Sequence, residues 1–124
     1  MALTGDPLAN QTVAIGQHGL VKYAKSDITS SADLVAAVTG KKIRLLALVL
    51  VSAPVSTATW KLQSGASTDL TPVYEQDADT TPHIIIWPYN PKGWVETVVT
   101  EKLNVVLTNS MNFKANIVYE EVTP

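Results

Sequence analysis

The last stretch of the chain, Asn112 to Val122, alternates apolar and polar residues so regularly that it fits only one backbone conformation. Phe113, Ala115, Ile117 and Tyr119 fall on one side, and Lys114, Asn116, Val118 and Glu120 on the other. A side-chain period of two is that of an extended strand with one buried face; a helix would scatter the same residues around its axis. The signature recurs upstream. Val55 to Gln63 sets Ala58, Trp60 and Leu62 against Thr57, Thr59, Lys61 and Gln63, and Lys102 to Thr108 turns Leu103, Val105 and Leu107 inward. Turn residues separate these stretches at the spacing of a sandwich or barrel. No window holds a helical period over three turns. Ser30 to Val38 has a capping-style Ser and an Ala-rich body but ends at Thr39-Gly40, and reads as a short strand in preference to a helix. The chain is therefore expected to be all-β, an antiparallel β-sandwich joined by short connections.

One strand departs from alternation. Lys42 to Val51 begins with Ile43 and Leu45 in and Arg44 out, then becomes wholly apolar from Leu45 to Val51. Such a run needs cover on both sides, from the second sheet on one and a loop or neighbouring subunit on the other. Leu48 and Leu50 in this run, with the outward Val106 and Val118, are thus candidate partner or oligomer contacts. A doubly covered core strand with ordinary surface valines accounts for the same residues equally well.

The runs His83 to Trp87 and Trp94 to Val99 flank Pro88-Tyr89-Asn90-Pro91-Lys92-Gly93. Proline fixes φ and lacks a donor, and glycine accepts positive φ, so the hexapeptide reads as a rigid turn. Trp87, Tyr89 and Trp94 surround it. They are expected to form an aromatic clamp sealing one end of the sandwich; a patch that binds sugar or a partner is the sharper alternative.

The 124 residues suit one domain, spanning 12–124 after a loosely structured arm over 1–11 that shows no period. Charged residues make up only 16% of the chain, against roughly 25% in typical soluble domains. A surface so rich in Thr, Ser, Asn and Ala suits a protein that packs against others, and equally a small β-sandwich of ordinary habit. The net charge is −2 with no basic stripe, which argues against nucleic-acid binding. Cysteine is absent, which removes disulfides, thiolate metal sites and thiol nucleophiles. The first eleven residues lack the charged and apolar regions of a signal peptide, no apolar run is long enough to span a bilayer as a helix, and the sequon at Asn10 reads as chance.

Neither does the pattern spell out catalysis, and no cofactor or metal is expected. The two histidines, His18 in a Gly-flanked turn and His83 at a strand start, are not spaced for metal ligation. No serine lies in a nucleophile elbow; Gln63-Ser64-Gly65 reads as a β-turn. Glu75-Gln76-Asp77-Ala78-Asp79 alternates carboxylates as a Ca²⁺ loop does, but lacks the glycine and distal glutamate of such a loop and reads as a solvated acidic segment. The glycines are isolated turn residues with no phosphate cradle among them.

Several stretches, taken in order, resemble small proteins encoded among phage virion genes. They are Ile28-Thr29-Ser30, Gly40 to Val51, Lys61 to Gly65 with Thr68 to Thr71, Pro88 to Thr97, Glu101 to Leu107 and Ile117 to Val122. The resemblance covers roughly residues 20 to 122, and the Pro-Tyr-Asn-Pro-x-Gly-Trp turn is its most specific piece. It implies a jelly-roll-like sandwich and a non-enzymatic role as a capsid decoration (cement) or head-fibre protein, assembled in the host cytoplasm and carried on the virion surface. The implied partners are the major capsid protein and further copies of the chain, with a trimer favoured; nucleic acid and membrane are not expected as partners. A carbohydrate- or receptor-binding module of a fibre or tail is the alternative. Between Val73 and His83 an acidic loop replaces a stretch that is usually Gly/Ala-rich in such proteins, which makes it the place to look for something particular to this one.

Overall fold

The computed structural model describes residues 21–54, 56–78, 82–109 and 111–124. The N-terminal arm, His18, the Asn10 sequon and Asp79 of the acidic segment lie outside them. The described chain forms β1 (Val21–Ile28), β2 (Ala32–Val35), β3 (Lys42–Pro54), β4 (Ala58–Ser64), β5 (Thr68–Asp69), β6 (Tyr74–Gln76), β7 (His83–Trp87), β8 (Val95–Glu96), β9 (Leu103–Thr108) and β10 (Met111–Val122). Every pairing is antiparallel. The Ser30 to Val38 window contributes β2 and no helix.

Two sheets result. Sheet A runs β1-β10-β3-β7, with β8 also paired to β3; sheet B runs β2-β9-β4-β5, with β6 also paired to β4. The short strands β5 and β6 share one edge of β4, and β7 and β8 share one edge of β3. Taken as one edge strand each, they leave eight strands in the orders 1-8-3-6 and 2-7-4-5, the double Greek key of a jelly roll.

Alternation decides what the two sheets bury between them. Ala58, Trp60 and Leu62 from β4, Leu103 and Val105 from β9, and Phe113, Ala115 and Ile117 from β10 meet in the core with Leu45, Leu48 and Leu50 from β3. Each fully buried large apolar side chain contributes about 1.5–3 kcal/mol. Trp60 organises the centre: its ring packs 4.7 Å from Tyr74, 5.9 Å from Phe113 and 6.2 Å from Trp87. The phase of β3 changes once. Val118 pairs with Ala47 and Tyr119 with Leu45, so Leu46 is the extra residue of a β-bulge. Leu45 and Leu46 are consequently both buried, and the inward set passes from Ile43 and Leu45 to Leu48, Leu50 and Ser52.

Candidate functional site

Four strands of sheet A present their outer side chains in rows. Tyr23, Val118 and Ala47 form the first; Lys25, Asn116, Val49 and Ile86 the second; Asp27, Lys114, Val51 and Ile84 the third. The β3–β7 side of every row is apolar. Ile84 is 65% exposed, Ile86 63% and Val49 41%, so no described part of the chain covers this half of the face; Tyr23, on the β1 edge, is 82% exposed. An open groove of about 540 Å³ runs along Tyr23, Ala47, Val49 and Val118. Monomeric proteins rarely leave a contiguous apolar area of this kind without a function.

Leu48 and Leu50 do not belong to this face. Both are completely buried and point at sheet B, because the bulge at Leu46 sets the even residues of β3 inward. As contacts for another subunit they are corrected: the outward residues of the same strand are Ala47, Val49 and Val51. Val118 does lie on the outer face of sheet A. Val106 lies on the opposite side of the molecule, on the outer face of sheet B across from Lys61, so the two valines cannot share one contact surface. Val49 lies within the apolar run Leu45 to Val51 that the sequence marks as a contact, whereas Ile84, Ile86 and Tyr23 are additions that the structure makes. The signal for this face was the doubly apolar run of β3 together with Ile84-Ile85-Ile86 in the next apolar strand.

The proline-rich hexapeptide is not the tip of a hairpin. β7 and β8 both pair with β3 and run in the same direction, so Pro88 to Gly93 loops out of one interrupted edge strand. It stands opposite the β3 bulge, where the Asn90 N–H donates to the Leu46 carbonyl at 2.8 Å. Asn90 folds the loop upon itself: its Oδ1 accepts from the Lys92 N–H at 3.0 Å and its carbonyl from the Gly93 N–H at 2.9 Å. The Trp94 indole N–H closes the loop on the Pro88 carbonyl at 2.8 Å. Gly93 has φ +82°, and a Cβ there would stand 2.4 Å from Cγ of Arg44, so the position excludes any other residue without rearrangement.

Two of the three aromatic residues at the loop stack. Trp87 packs 5.6 Å from Trp94 and 6.5 Å from Tyr74, which extends the Trp60 cluster to the surface between the β7 edge of sheet A and the β6 edge of sheet B. This closes a flank of the sandwich. Tyr89 takes no part in the stacking and is 58% exposed; Trp94 is 43% exposed.

The closest ion pairs of sheet A gather at one end. Arg44 reaches Glu96 on β8 at 2.8 Å and Glu120 on β10 at 2.9 Å, while Lys42 also meets Glu96 and Lys22 meets Glu121. Glu120, outward by alternation, is nonetheless 1% exposed beneath Arg44. Burial works against the Glu96 charge, yet the hydrogen bonds from Arg44 and Lys42 outweigh it and hold the carboxyl below its ordinary range. On Arg44 the Glu96 hydrogen bond opposes burial and raises the guanidinium pKa.

Groups with chemical potential are engaged structurally. Ser64 Oγ donates to Glu101 at 2.6 Å and accepts from the Val98 N–H at 2.8 Å, tying β4 to the loop before β9. His83 Nε2 lies 3.0 Å from the Asp77 carbonyl. Among the described residues no three of His, Cys, Asp and Glu gather as a metal site.

No model of a known protein family matches the chain, and a search of curated proteins finds no match either.

Proposed function

We propose that the chain is a non-enzymatic phage virion protein that binds the outside of the capsid and stabilises or decorates it through subunit contacts. The observation that carries this reading is the apolar outer face of sheet A, which no described residue covers. Val49, Ile84, Ile86, Val118 and Tyr23 stand on a hydrogen-bonded sheet, so a partner gains their burial without ordering a loop. A protein that docks on a repeating lattice needs only a modest patch per copy, because contacts between neighbours add avidity. The resemblance of the Pro88 to Trp94 loop and its flanking strands to phage virion proteins supplies the partner. The test is quantitative mass spectrometry of particles carrying the chain, with heads and tails separated. A copy number comparable to that of the major capsid protein and confined to heads is expected; a few copies, or copies with tails, would overturn lattice-wide decoration.

A second reading draws on the exposed rings of Tyr89 and Trp94. Fixed aromatic faces of this sort can stack on a sugar ring, which suits a receptor-binding module of a fibre. Quenching of tryptophan fluorescence by glycans, abolished by Trp94→Ala, would support it over decoration.

A further inference from the structure

Sheet A has two outer edges, and they differ in protection. β1 carries Lys22, Lys25 and Asp27. β7 reads His-Ile-Ile-Ile-Trp over five residues, with no Lys, Arg, Asp or Glu, no proline and an unbroken register against β3. No described strand pairs with its far side. Natural sheets guard open edges with charges, prolines or bulges, since a flat apolar edge is a template for another strand. The flank around β7 is apolar as well: Ile84 and Ile86 on its outer side, Trp94, Tyr89 and Val73 beyond it, all more than 40% exposed.

We propose that β7 is a self-association edge, at which two copies of this chain pair their β7 strands antiparallel about a two-fold axis through Ile85. Ile84 of each copy then stands opposite Ile86 of the other, on the face that already carries Val49 and Val51, and the apolar half of sheet A becomes continuous across both copies. Because residues pair symmetrically about one central position, whichever alternate set points its backbone groups outward meets the same set in the second copy. Charge favours the same arrangement. Glu75 and Asp77 precede the His83 end of the strand, and Lys92 lies in the loop after Trp87, so antiparallel pairing brings the acidic end of each copy to the Lys92 end of the other. Five residues at about 3.4 Å each, across two sheets about 10 Å apart with their outer side chains, give a footprint of about 17 by 20 Å. That is about 340 Å² per copy, below the size of a stable interface, so the pair is a weak one that forms reversibly with concentration. The symmetry is two-fold, in place of the trimer that the sequence reading favours, and the inference holds for the isolated chain whether or not the capsid reading does.

Sedimentation of the purified chain over a wide concentration range tests this. The mass is expected to rise from monomer to dimer, Ile84→Lys to shift the midpoint at least tenfold upward, and Val106→Lys, on the far sheet, to leave it in place. A chain that stays monomeric, one that forms trimers, or a dimer indifferent to Ile84→Lys would each overturn the proposal. Cysteine variants keep the test independent of any damage done by the lysine, since the chain has no cysteine of its own. Directly opposed residues stand about 5 Å apart and diagonal ones about 7–8 Å, beyond disulfide reach. Ile84→Cys mixed with Ile86→Cys is therefore expected to cross-link several-fold more than either alone, and equal cross-linking in all three samples would sink the two-fold register.

Discussion

The outer faces of the two sheets are built from the same alternating strands and finish differently. Sheet B turns Thr59, Lys61, Gln63, Asn104 and Thr108 outward, and it ties charges across its strands: Lys61 to Asp69 at 3.0 Å and Lys102 to Asp33 at 2.9 Å. Its one apolar outward residue in these rows, Val106, is ringed by polar neighbours. Sheet A turns Ala47, Val49, Val51, Ile84 and Ile86 outward; its close ion pairs gather at the end where Arg44 sits, and only the long Lys114–Asp27 contact at 3.9 Å stands at the other, on the β1–β10 side. An antiparallel sheet with one solvated face needs a pattern like that of sheet B. No described residue covers the apolar pattern of sheet A, which makes its face the side at which association gains most.

The sharpest way to break this comparison is along β3 itself, where neighbouring residues face opposite ways. Leu50→Ala removes a completely buried side chain and is expected to cost about 3 kcal/mol in denaturant unfolding, whereas Val49→Thr is expected to change stability by no more than about 0.5 kcal/mol. Similar losses at both positions would mean that the outer face is covered after all. Next in size is Gly93→Ala, at the polar end of the same sheet. The positive φ and the closeness of Arg44 make a loss of about 2 kcal/mol the expected outcome in thermal or denaturant unfolding, with Arg44 displaced from Glu120.

The smallest effects are electrostatic and compare one carboxylate on each face. Glu96 on sheet A and Asp69 on sheet B both have lowered pKa values in the folded protein, Asp69 through its hydrogen bonds from Gln63 and Lys61. A carboxyl whose folded pKa lies below its unfolded one contributes stability that is present above the unfolded pKa. That contribution fades as pH falls through the folded value. The window thus opens near pH 4.5 for Glu96 and near 3.8 for Asp69 and extends downward from each. Glu96→Gln is expected to flatten the acid limb of a stability-against-pH curve by less than about 1 kcal/mol, since Glu96 is partly solvated. Asp69→Asn, at a more exposed group, is expected to flatten it less; the reverse order would place the stronger ion-pair network on sheet B.

Much of the architecture is legible in the sequence. The alternating runs at Ala58, Trp60 and Leu62, and at Phe113, Ala115 and Ile117, fixed which side of β4 and β10 is buried, and they are buried. Gln63 and Glu120 break the pattern for tertiary reasons: Asp69 folds back over Gln63 at 2.8 Å, and Arg44 lies across Glu120. The site was half legible. The doubly apolar run of β3 pointed to a second covering surface, but which of its residues face outward depends on the bulge at Leu46. Nor could the hexapeptide declare itself a loop within one edge strand, because a hairpin tip asks for the same prolines and glycine.

The sequence by itself therefore determined the strands β4, β9 and β10 and their buried sides, since period two is a property of a few neighbouring residues. Only the tertiary structure decided the strand orders 1-8-3-6 and 2-7-4-5, and with them that Val106 and Val118, both outward in their own strands, stand on opposite sides of the molecule. The physical reason is that alternation states which side of a strand is buried but carries no information on which sheet the strand joins. That choice is made by packing between residues far apart in the chain.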